Sequence, residues 1–397
     1  MSGDLLLNKL VIHSFKSIVG QEIPLGLVNV FVGANGSGKS NALEALGVLS
    51  AAASGRVDDE SLKYRGVRPG VPRLYKSAFS KKLSPHIFFE ADAEQTSYAV
   101  SLNNPLEKPR PAWRYKTEDL RSGEVSVASR GIKTVKNPEQ SIAALKVVEL
   151  SESDPATKLM GLLRDYAIYT PNTLVLRGLL TDSQTRDPIG LSGGRLAEAV
   201  RELKAAASED DFIEEALDEI REMIDWIEDF DTTSLADAIL SPSVSRPRQV
   251  LRFRDRYMRP GKNVLTAHDA SEGALYVLFC AALVLLPNAP KLAAVDNLDH
   301  ALNPRLTQRL IRSLCKWIID NPIPRQLLFT AHNPVVLDGL PLEDDRVRLF
   351  VVDRNSDGHT VIQRIEITEE LRGLHADKGW PLSRLWVMGH LGGVPNV

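Results

Sequence analysis

The chain has 397 residues, 43% hydrophobic and 25% charged, with a formal net charge of −3. That is the balance of an ordinary globular protein with core enough for two or three domains. It excludes a disordered or collagen-like chain and wholesale polyanion binding, so contact with nucleic acid would have to come from local patches. Cys280 and Cys315 both lie in apolar, helix-like runs. Each reads as a buried thiol, and neither a disulfide framework nor a metal site is implied. Met1-Ser2-Gly3-Asp4 lacks a basic signal start, and the longest apolar run, Ala274 to Pro287, is too short to span a bilayer. The expectation is a cytoplasmic protein without a membrane segment.

Lys9 to Phe15 and Val28 to Val32 read as strands. Directly after the second comes Gly33-Ala34-Asn35-Gly36-Ser37-Gly38-Lys39-Ser40, then a helical run from Ala42 to Ala53. Strand, glycine-rich loop and helix fill every position of the phosphate-binding pattern G-x-x-x-x-G-K-[ST]. Its glycines let the backbone wrap an anion, and Asn35 to Asn41 would cradle the phosphates with N–H groups at a helix start. Lys39 would neutralise the β- and γ-phosphates and Ser40 would give its hydroxyl to Mg²⁺. The chain is expected to bind ATP with Mg²⁺.

Ile87 to Ala91 and Tyr98 to Leu102 alternate as strands, whereas Asn103 to Gln140 is polar and reads either as hairpins or as a surface excursion. From Arg195 to Phe230, apolar residues recur at helical spacing opposite an acidic face of Glu209, Asp210, Asp211, Glu214, Glu215, Asp218, Glu219 and Glu222. Two helices broken near Ala207-Ser208 fit this run, with the acidic face in solvent and away from DNA. After a proline-containing break at Ser241 to Pro247 come a strand from Val250 to Tyr257 and a helix from Glu272. A strand from Leu292, a helix from Arg305 to Ile319, a strand from Gln326 and a hairpin of Val347 to Asp353 with Thr360 to Ile367 follow. No internal repeat is visible. This order predicts an α/β core with a largely parallel sheet.

Leu292 to Asp296 is an apolar strand ending in a carboxylate, so Asp296 would hold Mg²⁺ opposite Ser40. Leu327 to Ala331 is another, running into His332-Asn333-Pro334, where His332 would reach a γ-phosphate. Taken in order with Phe15-Lys16-Ser17-Ile18 and Ala270 to Leu275, these motifs resemble the ABC-type ATPases of the RecF/SMC class. More narrowly they resemble the small AAA-type ATPases of bacterial anti-phage systems. The likeness runs from Leu10 to about Asp353 and includes the tail from Leu382 to Pro395.

The resemblance implies an α/β, ABC-type P-loop ATPase head with a mixed β-sheet and an inserted helical hairpin. Residues 1–194 would be its N-terminal half with a β-rich lobe, 195–240 the insert and 241–397 its C-terminal half. It also implies that Ser271, Glu272 and Gly273 form the signature motif, completing the nucleotide site of an opposing subunit so that two heads sandwich ATP. A serine and a glycine N–H at a helix start suit a γ-phosphate. Leu191-Ser192-Gly193-Gly194 spells a transporter signature more literally but lies far before Asp296, and reads as a helix-entry turn with Ser192 near the N-cap. Asp165 to Arg177 occupies the place of a nucleotide-sensing loop, with Arg177 either near phosphate or a partner, or simply on the surface.

Related ATPases follow the Walker B Asp with a Glu that polarises water; here Asn297 stands in that place. An amide can orient water but cannot take its proton, and loss of a general base costs about 10²–10⁴ in rate. Asp299 could substitute, or His332 could help position water. Slow hydrolysis and long-lived ATP-bound dimers are expected. Between Glu60 and Glu90, Lys63, Arg65, Arg68, Arg73, Lys76, Lys81 and Lys82 interleave with Tyr64 and Tyr75, and Arg252, Arg254 and Arg256 alternate on a strand. Either set could track phosphates or dock an acidic partner. The readings are an ATP-gated sensor or scaffold working with a separate nuclease or toxin in anti-phage defence, a RecF-like DNA clamp, and a nucleotide-binding regulator.

Overall fold

The computed structural model describes residues 5–79, 86–131, 142–143, 151, 153–234, 249–366 and 380–391. Its strands in chain order are β1 (Lys9–Phe15), β2 (Ile18–Pro24), β3 (Val28–Val32), β4 (His86–Ala93), β5 (Thr96–Asn103), β6 (Arg114–Ser122), β7 (Val125–Arg130) and β8 (Ala167–Tyr169). They continue with β9 (Ile227–Ser234), β10 (Gln249–Asp255), β11 (Val264–Thr266), β12 (Leu292–Val295), β13 (Gln326–Ala331), β14 (Val347–Arg354) and β15 (Thr360–Ile365). The helices are α1 (Lys39–Ala53), α2 (Asp59–Lys63), α3 (Pro72–Tyr75), α4 (Pro155–Asp165), α5 (Thr173–Leu176), α6 (Leu196–Ala207), α7 (Asp211–Met223), α8 (Glu272–Leu285), α9 (Pro304–Asp320) and α10 (Leu382–Val387).

The central sheet has the order β15-β14-β3-β13-β12-β8, parallel throughout except for β15, which returns antiparallel on β14. Strands β3, β8, β12 and β13 are buried on both faces, which is why they read as continuous apolar runs. Val28, Val30 and Val32 of β3 point into one core with α6 to α9, while Phe31 points into the other with α1, α4 and the antiparallel sheet β2-β1-β4-β5-β6-β7. This is a mixed α/β architecture with a mixed sheet. Helix α8 is buried from Ala274 to Leu285, hence apolar all round. Cys280 and Cys315 are buried thiols, each pushed up to about 12 by that burial.

The polar stretch after Asn103 forms the β6–β7 hairpin as far as Arg130. The expected helical pair lies at α6 and α7, but Ile227 and Phe230 belong to strand β9, paired antiparallel with β10. Chain pairing overrides the helical spacing there, and Asp229 and Asp231 of β9 take up Lys204 and Arg252. Both helices share the core of the central sheet. Most of their acidic face is exposed to solvent as expected, with Glu219 and Glu222 at its edge toward α9. Glu219 accepts the Trp317 indole N–H at 3.0 Å and pairs with Lys316, and Glu222 pairs with Arg309 at 3.0 Å, so that edge contacts α9. The break at Ser241 to Pro247, Lys81, Lys82, Ile367, the tail beyond Leu391 and the end of the expected insert at 240 fall outside the described residues.

Candidate functional site

The loop between β3 and α1 stands at the carboxyl end of the central sheet, with β12 and β13 ending beside it. Gly33 (φ 152°) and Gly38 (φ 111°) are forced choices. A Cβ on Gly33 would lie 2.1 Å from the Val352 carbonyl oxygen, and one on Gly38 would lie 2.2 Å from the Thr360 hydroxyl. Thr360 donates to the Ser37 carbonyl at 2.6 Å and sits 2.7 Å from the Ser17 hydroxyl, which also accepts from the Asn41 amide at 2.7 Å. The loop is therefore braced by β15 and the β1–β2 turn.

Lys39 is buried and donates to the carbonyls of Gly33 at 2.8 Å and Ala34 at 3.0 Å. Burial pushes its ammonium down to about 8 against the opposing pull of Asp296 and Asp299. The Ser37 hydroxyl is buried without a hydrogen-bond partner. At the start of α1 the Asn41 N–H donates to the Gly38 carbonyl at 3.0 Å, and the N–H groups of Lys39 and Ser40 precede the first intrahelical acceptor. A tight glycine cradle, an orphaned hydroxyl and an inward-facing cation fit a polyphosphate.

Ser40 donates to Asp296 Oδ1 at 2.9 Å, and Thr330 donates to the same oxygen at 2.6 Å. This hydroxyl–carboxylate pair fits Mg²⁺, which takes few protein ligands and completes its shell with water and phosphate oxygens. Among the described residues no group of three or more His, Cys, Asp or Glu could hold a metal alone.

Asn297 adopts φ 57° at the turn after β12, and its N–H donates to the Thr330 hydroxyl at 2.8 Å. Its amide oxygen lies 2.8 Å from His332 Nε2. Burial and then the Lys39 charge hold the His332 pKa below its ordinary value, so the ring is neutral near pH 7 and Nε2 donates to Asn297. Asp299 is 9% exposed and one of its oxygens accepts the backbone N–H groups of His332 at 3.0 Å and Asn333 at 2.5 Å. It braces the two turns against each other. The structure thus brings Lys39, Ser40, Asp296, Asn297 and His332 together, with Asp299 behind them.

Ser271 caps α8, accepting from Ala274 N–H at 3.4 Å and from the Trp226 indole at 3.2 Å. Gly273 packs on α9, where a Cβ would lie 2.8 Å from Leu306. Ser271, Glu272 and Gly273 stand at the start of their helix, and the contacts of Ser271 and Gly273 lie with those neighbours. In the literal signature turn the N–H groups of Ser192 and Gly194 both donate to Asp182, at 2.9 and 3.0 Å. Ser192 does not cap α6; Arg195 occupies that position without a side-chain cap bond. Arg177 donates to the Ala270 carbonyl at 3.2 Å, beside Ser271.

The basic strip is not one surface. Arg65 is buried on Ser50 Oγ at 2.6 Å and the Ser61 carbonyl at 2.8 Å, and Lys76 and Tyr75 are buried too. Arg68 is held on Glu44 at 2.6 Å, and Arg252 on Asp231 at 2.7 Å. Glu44 itself is buried one turn beyond Ser40. Burial raises its pKa, and Arg68 and Lys16 more than offset that, so it stays ionised. Sequence reading missed Thr330, Glu44 and Thr360; Thr330, two residues before His332 and near the end of β13, was the one with a positional signal.

Residues 28–338 match the family model of an AAA domain described as a putative AbiEii toxin of a type IV TA system. No curated protein matches the chain. Among solved structures the chain is similar to an Smc head bound to the C-winged helix domain of ScpA, with a TM-score of 0.53 and 12% identity over 91% of this chain and 98% of that one. It is also similar to a Pyrococcus furiosus Smc head with an extended coiled coil, bound to the C-terminal domain of ScpA. There the TM-score is 0.52, with 13% identity over 94% of this chain and all of that one. At such identities the likeness is one of fold, that of an ABC-type P-loop ATPase head.

Proposed function

This chain belongs to the AAA family described as putative AbiEii toxin, type IV TA system, and on that premise we propose that it is a slow, ATP-hydrolysing switch. Lys39 would exchange the carbonyls of Gly33 and Ala34 for phosphate oxygens, Ser40 and Asp296 would hold Mg²⁺, which would screen phosphate charge, and Asn297 with His332 would orient the attacking water. Ser271 to Gly273 would close the site of a second copy, giving an ATP-bound dimer.

The observation that carries the slow rate is the amide at 297 bonded to His332, with the neighbouring carboxylate of Asp299 committed to the turn. In its biological role the dimer would act as a sensor or scaffold for a separate effector, a nuclease or toxin in anti-phage defence. The described Smc heads bind a separate protein, ScpA, and support a protein partner for this head too. A RecF-like clamp on DNA has weaker support, because Arg65, Lys76, Arg68 and Arg252 are buried or paired. No helix among the described residues is long and apolar enough to cross a membrane.

Single-turnover ATP hydrolysis tests this reading, with Lys39→Ala as the blank. Wild-type turnover should be slow and Asn297→Glu should raise it, by no more than the factor of about 10²–10⁴ that a full general base contributes. Fast wild-type turnover, unchanged by the Glu, would sink it.

A further inference from the structure

A site that positions water with an amide still needs a proton acceptor, and we infer that His300, held by Tyr276, takes the proton of the attacking water in place of the carboxylate missing at 297. The inference rests on the ATPase reading above. Three other candidates each have an atom already engaged. Asp296 Oδ1 receives the hydroxyls of Ser40 and Thr330, and an oxygen of Asp299 receives two backbone N–H groups. The His332 nitrogen facing residue 297 meets an amide oxygen, which only accepts, so it bears hydrogen and has no lone pair to offer there.

His300 is differently placed. Its backbone N–H donates to the Asn297 carbonyl at 3.1 Å, so both residues belong to one turn, bent by φ 57° at Asn297 and 67° at Ala301. Both line a cavity of about 300 Å³ together with Asp296, Tyr276, Thr170 and Asn172. The imidazole stacks on Tyr276, with centroids 6.3 Å apart and planes 29° apart. Tyr276 has one hydroxyl proton, and it goes to the Pro171 carbonyl at 2.9 Å. A hydrogen bond at the 3.4 Å contact with His300 Nδ1 then requires the phenol oxygen to accept and Nδ1 to carry the hydrogen. Nε2 is left with its lone pair, and among the described residues it has no hydrogen-bond partner.

Burial raises the Tyr276 pKa, so the phenol keeps its proton and the arrangement holds across the neutral range. Tyr276 and Asp296 are the titratable groups lining this cavity with His300; Thr170, Asn172, Thr173 and Asn297 are neutral. In the step itself the water oxygen bonds to the γ-phosphorus and the bond from that phosphorus to the β,γ-bridging oxygen breaks. The electron pair leaves with ADP, and the water proton passes to His300 Nε2 and then to solvent.

Two measurements test it. Nitrogen-15 histidine spectra of the nucleotide-free protein should show His300 as the Nδ1–H tautomer, and Tyr276→Phe should weaken that preference. An Nε2–H tautomer in the wild type overturns the assignment. Single-turnover ATP hydrolysis is then compared in wild type, His300→Gln, Asn297→Glu and the double variant. His300→Gln should slow the wild type about 10²-fold and leave the Asn297→Glu protein within about twofold, because the new carboxylate takes the proton. Equal losses in both backgrounds, or no loss in the wild type, overturn the inference. Should His300→Gln fold poorly, Tyr276→Phe carries the same cycle with a smaller loss. Failure of the ATPase reading looks different: labelled ATP would not bind the wild type, and no variant would turn over.

Discussion

Two turns converge on the candidate site, Gly33–Lys39 after β3 and Asp296–Leu302 after β12, and they reach their shapes by opposite routes. The first uses glycines for its left-handed backbone and leans on main chain and hydroxyls of β14 and β15. The second puts ordinary side chains, Asn297 and Ala301, in left-handed conformations and is held there by Thr330, Asp299 and the backbone of His332 and Asn333. A glycine-built loop carries its geometry in its own residues. A side-chain-built turn is only as good as its distant partners, and that makes it the more tunable of the two.

The sharpest way to break this contrast is Gly33→Ala. The left-handed penalty of about 1–2 kcal/mol adds to a clash worth roughly 1–3 kcal/mol, so nucleotide binding measured by fluorescence titration should be lost. Gly36→Ala is the control: φ is 78° but nothing lies within 4 Å of the added carbon, and binding should fall no more than about thirtyfold. Comparable losses in the two would mean that the loop is not braced by Val352.

Next in size is Thr330→Val. It leaves the Asn297 N–H without an acceptor and removes a donor from Asp296, at a cost of about 1–3 kcal/mol in chemical denaturation. Hydrolysis should fall while nucleotide affinity is largely kept. An equal fall in affinity would show that the second turn shapes binding as well as chemistry.

The smallest effect is the pH dependence through Lys39, whose folded value of about 8 lies below its ordinary 10.5. Below about 8 the ammonium is charged and ready for phosphate. ATP affinity should therefore hold below about 8 and decline above it, by at most about tenfold per pH unit, with proton uptake on binding seen by calorimetry in buffers of different ionisation enthalpy. Stability of the nucleotide-free protein has the opposite sign. The buried charge penalises the fold below about 8, and the penalty is relieved as pH rises toward 10.5. Affinity flat across pH 7–9.5 would place Lys39 in a wetter setting.

Much of this was legible in the chain. Gly33 to Ser40, the apolar strands ending at Asp296 and Ala331, and the strand–helix order determine a parallel-sheet core with a phosphate loop, because glycine conformation and hydrophobic period are local properties. What only the tertiary structure decided depends on which distant group arrives first. Asp299 reads as a spare base until His332 and Asn333 point their N–H groups at it. Ser192 reads as a helix N-cap until Asp182 takes the N–H groups of Ser192 and Gly194 and Arg195 fills the cap position. Arg65 and Lys76 read as a basic surface until Ser50 and the Asn104 carbonyl bury them. His300 carries no signal in sequence at all; a tyrosine 24 residues earlier, donating its one proton to Pro171, is what leaves the ring nitrogen free. A side chain's type is written in the sequence, but its hydrogen-bonding capacity is finite, and folding decides where that capacity goes.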